Sequence, residues 1–441
     1  MLHRLRGGMA QGILLSIKTN TCMAKTFSQS KWYPWLVVGL LWGVALLNYL
    51  DRQMLSTLAD SMMVDIKELE DPRLFGMLMS GFLWVYGLMS PVAGTIADKI
   101  SRKWLVVGSL FVFSGVTWGM SVCTTFNQIY VLRLLMGISE ALYIPAGLAL
   151  ITEFHRGKTR SLAVGIHMTG LYMGQALGGF GATVAHHYSW QAAFHSFGII
   201  GIVYALLLAV FLRDNRTVGV ASTEKAAVTP SKASVWTNLG KLFRTPSFWV
   251  LLLVFAVPSL PGWATKNWLP TLFSDSLNLG MESAGPLSTI SIAASSFIGV
   301  IVGGILSDRW VHKNIRGRVY TSALGLALTI PSLVLLGLGH TMLAIVGAAL
   351  FFGIGFGLFD ANNMPILCQF VPDRLRSTAY GFMNLMGVFA GALITQIMGS
   401  WTGEGNLGLG FAGLGAVVLV ALLLELFFLR PKYQDMKDAD F

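Results

Sequence analysis

Residues 94–103 read Gly-Thr-Ile-Ala-Asp-Lys-Ile-Ser-Arg-Lys, and residues 304–309 read Gly-Ile-Leu-Ser-Asp-Arg, which repeats the first six positions 210 residues later. Each stretch follows an apolar run that is long enough to cross a lipid bilayer as a helix. A charged motif that recurs at the same place after two such runs indicates an internal duplication. The sequence therefore predicts two similar membrane bundles.

Two other pairs of stretches support the duplication. Arg-Ser at residues 160–161 recurs at 376–377, in each case at the start of an apolar run. Residues 137–145 and 357–365 both begin with glycine, carry an acidic residue at the fourth position and end in proline. Duplicated bundles with a site between them suit a carrier that works by alternating access, because two rigid bodies can rock about a central cavity.

The composition excludes a water-soluble globule. Of the 441 residues, 54% are hydrophobic and only 12% are charged, which leaves too little polar surface to face water. Long continuous apolar runs predict helices, whereas barrel strands would alternate over about 10 residues. We count twelve spans, at residues 34–58, 74–97, 104–123, 128–153, 160–184, 191–212, 246–273, 285–307, 318–338, 341–369, 375–398 and 406–429. The fold class expected is an all-α membrane protein of two pseudo-symmetric six-helix bundles.

A charged, Ser/Thr/Ala-rich stretch at residues 213–245 interrupts the apolar pattern and is predicted to be a cytoplasmic linker. The predicted division of the chain is therefore an N-terminal tail at 1–33, bundles at 34–212 and 246–429 on either side of the linker, and a C-terminal tail at 430–441. The first 33 residues lack a signal-peptide pattern, and translation could also start at Met23.

The lysines and arginines are distributed unevenly between the loops on the two sides of the membrane. Twenty-six of the 31 lysines and arginines fall in segments that share one side of the membrane if the N-terminus is cytoplasmic, whereas the loops on the other side hold only Lys67 and Arg73. The positive-inside rule then predicts cytoplasmic termini in a cell inner membrane. The net charge of +10 is thus explained by topology, and no nucleic-acid partner is expected.

Residues 94–103 resemble the signature between the second and third helices of the major facilitator superfamily, with Ser101 where glycine is usual. The stretch Asn48-Tyr49-Leu50-Asp51-Arg52, then Arg133 with Glu140 and Pro145, and Trp268-Leu269-Pro270 resemble its anion:cation symporter branch. That branch carries sugar acids, hexuronates and other organic anions, usually with protons. The resemblance implies import of a small organic anion by proton symport.

Charged residues inside predicted spans are the candidates for the site. An ionised side chain at mid-bilayer costs about 3 kcal/mol on insertion scales, so such residues face a cavity, pair with one another or take part in transport. The chain has six of them: Asp51, Arg52, Arg133, Glu140, Lys266 and Asp360.

Arg52 and Arg133 are interpreted as a clamp for a substrate carboxylate, because guanidinium groups bind carboxylates through two parallel hydrogen bonds. The alternative is a salt bridge from either arginine to Asp51 that only neutralises buried charge. Glu140 lies two turns from Arg133 on the same helix face, about 10 Å deeper. Asp51 and Glu140 are the predicted proton carriers, since a carboxyl group that loses its arginine to another anion favours the neutral form.

Lys266 is predicted to contact the substrate, or else to reach toward the outer surface. Asp360 is either a third titrating site or the partner of Lys266. Neutral side chains that are candidates for substrate hydrogen bonds, with helix packing as the alternative for each, are Tyr49, Tyr86, Tyr143, Gln175, Asn362, Asn363 and Asn384.

The resemblance to the superfamily also implies a gate at the cytoplasmic face. Asp98 would face the start of the eleventh helix, and the basic pair Arg102 and Lys103 would contact Glu153 at the end of the fourth. A contact made in only one conformation biases the equilibrium between conformations.

No cofactor or metal is expected, since Cys22, Cys123 and Cys368 form no CxxC motif. The chain has no hydrolase or phosphate-loop motif, so an enzyme is not predicted. Two rival functions stay open: an organophosphate exchanger that uses Arg52, Arg133 and Lys266, and a nutrient sensor that does not transport. A monomer is expected, with an organic anion, protons and the lipid bilayer as partners.

Overall fold

The computed structural model describes residues 32–155, 159–213, 240, 243–371 and 376–431, with the backbone alone described at 94, 95, 97–99, 160, 161 and 377. Every regular element in this part of the chain is helical. Twelve long helices are labelled in order: α1 Tyr33–Leu55, α2 Pro72–Lys99, α3 Arg102–Met120, α4 Phe126–Phe154, α5 Arg160–Gly178, α6 Trp190–Phe211, α7 Pro246–Leu277, α8 Met281–Val311, α9 Gly317–Leu338, α10 Met342–Asp360, α11 Arg376–Gly403 and α12 Leu407–Phe428. Shorter helices follow α1, α5 and α10, at Ala59–Asp65 with Lys67–Glu70, at Gly181–His187 and at Asn363–Cys368. Most of the predicted linker and both predicted tails lie outside the described residues.

Eleven helices of the described chain are long and apolar enough to cross a membrane, and α5 is the predicted span that does not qualify. Its 19 residues include His167, Gln175 and several glycines, which lower its hydropathy. The predicted span at 160–184 is divided by a turn, after which Gly181–His187 continues it. The chain is therefore a multi-pass membrane protein, and its predicted fifth span consists of two helical pieces.

Helix starts follow the local sequence. Asp71 caps α2, where its carboxylate accepts a hydrogen bond from the Arg73 backbone N–H at 2.9 Å and Pro72 occupies the first turn. Ser189 caps α6 in the same way through the Ala192 N–H at 3.0 Å. Asn278 ends α7 in the left-handed conformation, with φ 50°.

The two bundles pack by the same scheme. In the first, α1 packs on α5, α2 on α4, and α3 on both α4 and α6. In the second, α7 packs on α11, α8 on α10, and α9 on both α10 and α12. Each pairing in one bundle thus has its counterpart six helices later, which is the duplication expected from the repeated motifs.

Repeated glycines make the same contact in each bundle. Gly137 of α4 lies against α2, where a Cβ would stand 2.7 Å from the Phe82 carbonyl oxygen. Gly357 of α10 lies against α8, where a Cβ would stand 2.5 Å from the Ser296 carbonyl oxygen. Neither position has room for a side chain, so the glycine is needed for close packing of the two helices.

The bundles meet through α2 against α11 and α5 against α8. We call the side where α1 begins and α12 ends the terminal side. Gly76 and Gly399 touch on the opposite side, where the Phe75 and Trp268 rings also lie 6.0 Å apart and Gln53 donates a 2.7 Å hydrogen bond to the Lys266 carbonyl oxygen. Two further ring contacts join the bundles at mid-helix: Trp84 with Phe389, and Tyr172 with Phe297. These contacts close the opposite side of the molecule.

Candidate functional site

Asp51 lies inside the first bundle, between α1, α3 and α4. Thr117 of α3 donates a 3.0 Å hydrogen bond to one carboxylate oxygen, and the Arg133 guanidinium lies 3.8 Å from the other. Asp51 and Arg133 are 3% and 2% exposed, so this ion pair is enclosed by protein. Arg133 also lies over the Phe82 ring, 4.9 Å from its centroid.

Arg52 points in another direction from the same turn of α1, because neighbouring helical residues do not share a face. Its Nε lies 2.5 Å from Glu140 Oε2, and its guanidinium lies 4.7 to 5.1 Å from the ring centroids of Tyr49, Phe82 and Tyr86. The Arg52 side chain is 11% exposed, compared with 3% for Arg133. Of the two arginines, Arg52 is the less deeply buried.

Two ion pairs therefore join α1 to α4 at different depths. The seven-residue spacing of Arg133 and Glu140 places them two turns apart on one face of α4, as predicted. Glu140 is completely buried, and its Oε1 has no hydrogen-bond partner among the described residues. Arg52 is thus the ion-pair partner of the Glu140 carboxyl group, and Arg133 and Asn48 also act on this group.

The second bundle presents a lysine and an aspartate to the same region. Lys266 Nζ lies 4.8 Å from the Trp263 ring centroid, and Asp360, at the end of α10, accepts a 3.1 Å hydrogen bond from Asn363. Asp360 is exposed and acts electrostatically on Lys266 and on Tyr49 of the first bundle. Ionisable groups of the two bundles thus lie close enough to act on one another electrostatically.

The other neutral candidates are placed differently. Tyr143 donates a 2.9 Å hydrogen bond to the Leu41 carbonyl oxygen, and Asn362 donates one of 2.8 Å to the Leu358 carbonyl oxygen, so both are engaged in helix packing. Gln175 lies beside Gln53 where the bundles meet, and Asn384 is half-buried on α11. Tyr49 and Tyr86 are the two neutral candidates that contact Arg52.

At the terminal side, Arg102 of α3 pairs with Glu153 near the end of α4, and it also donates a 3.4 Å hydrogen bond to the Ala149 carbonyl oxygen. Lys103 lies over the Trp104 ring. The Asp98 side chain and residues 372–375, which the predicted gate also involves, lie outside the described residues.

Sequence reasoning missed two features of the charged region. Phe82 of α2 lies under both Arg52 and Arg133, and no motif marked it. Glu425 of α12 is completely buried, and neither carboxylate oxygen has a hydrogen-bond partner in the described chain. A single acid within the run VLVALLLELFF was the available signal. No cluster of His, Cys, Asp and Glu among the described residues could hold a metal ion.

The buried ion pair between Asp51 and Arg133 leads to a prediction about stability. Asp51→Ala leaves the Arg133 charge buried without its partner, so we expect a loss of about 3 to 5 kcal/mol, read as a lower unfolding temperature of the detergent-solubilised protein. The double variant Asp51→Ala with Arg133→Met should lose much less than the single variant. Glu70→Ala, which removes the exposed partner of Lys67, should cost about 1 kcal/mol or less. Equal losses in the Asp51 and Glu70 variants would contradict the pairing.

Comparison with known proteins agrees with this architecture. The family model described as Major Facilitator Superfamily matches residues 41–395, which is most of the chain. The chain belongs to the Major Facilitator Superfamily. It is therefore a membrane transporter by family, and the resemblance to the organic-anion branch has support among its relatives.

The relatives include carriers of organic acids. The chain is 27% identical to a gallate transporter of Pseudomonas putida over 418 residues, which cover 89% of each chain. It is 25% identical to a "probable L-galactonate transporter" of Escherichia coli (strain K12) over 285 residues, 62% of this chain and 61% of that protein. Among solved structures, a bacterial homologue of the human lysosomal transporter Spinster in an inward-facing, occupied conformation superposes with a TM-score of 0.76 at 17% identity, covering 93% of this chain and 100% of that one.

Proposed function

We propose that this transporter imports a small organic anion together with protons by alternating access. The observation that carries the proposal is the ion pair between Arg52 and Glu140, in which the arginine side chain is 11% exposed and the acid is completely buried. We further propose that both termini are cytoplasmic and that the membrane is a cell inner membrane, as the distribution of basic residues predicts. The terminal side is then the cytoplasmic side, and the described conformation is the inward-facing one.

Substrate binding in this proposal begins at Arg52. A substrate carboxylate that enters between the bundles would bind the guanidinium, whose Nη2 has no hydrogen-bond partner in the described part of the chain, and would compete with Glu140 for its N–H donors. Lys266 in the opposite bundle offers a second positive charge to the same ligand. A ligand held between Arg52 and Lys266 would draw the two bundles together, which is the step that alternating access requires.

Proton coupling follows from the position of Glu140. When the substrate takes Arg52, the Glu140 carboxylate is left buried without its counter-charge, and the neutral form becomes the favoured one. Glu140 then takes up a proton, and release of the substrate on the other side restores the pair and expels the proton. If two protons accompany one monoanion, the membrane potential adds about 2.3 kcal/mol per charge per 100 mV.

The side chains around Arg52 favour a carboxylate on an aromatic ring. Three aromatic side chains, Tyr49, Phe82 and Tyr86, surround the Arg52 guanidinium, so a ring bound beside Arg52 would meet aromatic surroundings. The gallate transporter among the relatives is named for such an acid, whereas the galactonate transporter is named for a sugar acid. A sugar acid or hexuronate would instead rely on the hydroxyl groups of these tyrosines.

The experiment that tests this function is uptake by the purified protein in liposomes. Gallate and galactonate are offered in turn with an imposed pH gradient, acidic outside, and we expect accumulation of at least one of them that a protonophore abolishes. Accumulation that the protonophore does not affect would contradict coupling of transport to protons. A protein that binds either acid but never moves it would be a sensor.

Closure of the opposite side can be tested at Gly399. A Cβ there would stand 2.6 Å from the Pro72 carbonyl oxygen and 3.1 Å from Gly76 Cα, so Gly399→Val overpacks the contact by about 1 to 3 kcal/mol. We expect an increase of about 5- to 150-fold in the ratio of outward-open to inward-facing protein.

Spin labels at Glu70→Cys and Glu404→Cys, in a background without the native cysteines, report the opening as a longer distance between them. Gly413→Val on α12 is the matched control, because a Cβ at Gly413 meets nothing within 4 Å. The same distance distribution in both valine variants would show that the Gly399 contact does not hold the opposite side closed.

A further inference from the structure

A second buried acid lies in the C-terminal bundle, away from the ion pairs of the N-terminal one. Glu425 is one turn from the end of α12 and is completely buried. Both of its carboxylate oxygens lack a hydrogen-bond partner within the described residues. Intramembrane acids of this kind are expensive to keep and usually have a role in transport.

Glu425 lines a very small cavity, of about 10 Å³, formed by α7, α9, α10, α11, α12 and the short helix Asn363–Cys368. Ser322 of α9 and Asn363 are the other polar side chains in its wall, and the Ser322 hydroxyl lies near enough to act on the Glu425 carboxyl group. The remaining wall is apolar, with Val254 of α7 and Met383 of α11 as examples.

No cation in the described structure compensates Glu425. Three arginines approach from neighbouring elements, and each donates to backbone carbonyl oxygens: Arg316 to Leu426, Arg318 to Pro365, and Arg376 to Cys368 and Val371. Glu425 is the single titratable residue in the described wall of the cavity. An ionised carboxylate in such surroundings is strongly disfavoured, whereas a carboxylic acid can donate its proton to Ser322 or Asn363 in a hydrogen bond.

Asn363 connects this cavity to Asp360. It lines the cavity and also donates a 3.1 Å hydrogen bond to Asp360, whose side chain is exposed. The helix is interrupted at this point, because α10 ends at Asp360 and the short helix begins at Asn363. Interrupted helices beside a central site are the places where transporters of this kind bind their coupling ions.

We propose that Glu425 is a second proton-binding carboxyl group, in the C-terminal bundle, which exchanges its proton with the transport chamber past Asn363 and Asp360. This inference rests on the proposed proton coupling. In the inward-facing conformation the proton is bound to a Glu425 oxygen. In the conformation that releases it, the proton passes to the Asp360 carboxylate, so Glu425 becomes ionised, Asp360 becomes neutral, and the total charge is unchanged.

Infrared difference spectroscopy on the purified protein tests the protonation state without any transport. The wild-type protein near neutral pH should show a carboxylic-acid C=O band that is missing in Glu425→Gln and shifted in Glu425→Asp. Ser322→Ala should move the band without removing it, because it alters the hydrogen bond and not the proton. A spectrum in which Glu425→Gln removes no such band would overturn the proposal.

Liposomes then test the role of this proton in transport. Glu425→Gln should keep exchange of labelled substrate within about twofold of wild type while the number of protons moved per substrate, measured from the reversal potential, falls by one. An unchanged proton number in this variant would overturn the proposal, while a wild-type protein that moves no protons would overturn the proposed function instead. Should Glu425→Gln fail to fold, Glu425→Asp must keep the wild-type proton number, and a lower number in that variant would also overturn the proposal.

Discussion

A Glu140→Gln variant is expected to exchange substrate across a membrane but not to accumulate it. The glutamine keeps the size of the side chain and still offers an oxygen to Arg52, yet it cannot bind or release a proton. In liposomes loaded with unlabelled substrate, entry of labelled substrate should continue. With an imposed pH gradient and no internal substrate, uptake should fall to the level that simple equilibration allows.

The control for Glu140 is Glu70→Gln, which changes an exposed acid on the opposite side. It should leave both exchange and accumulation at wild-type levels. Wild-type accumulation by the Glu140→Gln protein would refute the assigned role. Loss of exchange together with accumulation would mean instead that Glu140 is needed for binding and not for coupling.

Removal of Arg52 should have the largest effect on substrate binding. Truncation of one partner of a buried charge pair costs about 2 to 5 kcal/mol. We therefore expect Arg52→Ala to raise the dissociation constant about 30-fold to several thousand-fold. Arg52→Lys retains the charge but loses the planar guanidinium that can donate two parallel hydrogen bonds, so the affinity of this variant for the substrate should be intermediate. The measurement is the ligand-induced rise in unfolding temperature across a series of gallate and galactonate concentrations.

Arg73→Ala is the matched control for this series. Arg73 forms an exposed pair with Glu404, 3.5 Å apart, at the opposite surface, and its loss should cost about 1 kcal/mol or less. An Arg52→Ala protein that is stabilised by either acid as strongly as wild type would show that the substrate does not bind there. In that case Lys266 would become the principal candidate.

Most of the fold could be predicted from the sequence. Long apolar runs predict the membrane helices, and repeated motifs predict the duplication. The predicted bounds of the first span, 34–58, differ from those of α1 because the chain turns after Leu55, with Leu58 still apolar. The interruption of the tenth span was missed, since apolar residues continue on both sides of Asn362 and Asn363. Pro365 was the available signal, because proline has no backbone N–H to donate to the carbonyl of residue 361 and its ring clashes with that carbonyl.

The site was predictable as a set of residues but not as a set of pairs. Intramembrane charge identified Asp51, Arg52, Arg133 and Glu140, yet which acid meets which arginine depends on how α1 and α4 are rotated against one another. The sequence left open a salt bridge from Asp51 to either arginine, and the structure pairs it with Arg133. Glu425 was overlooked because an acid close to the end of an apolar run also fits a residue at the membrane surface.

The most direct test of the coupling step is to measure proton uptake when substrate binds. Purified protein in weakly buffered detergent solution is mixed with the acid that stabilises it best, and a pH-indicator dye reports the change. We expect wild-type protein to take up protons on binding and Glu140→Gln protein to bind without this uptake. Wild-type protein that binds the acid with no proton uptake would contradict the displacement of Glu140 from Arg52 by the substrate.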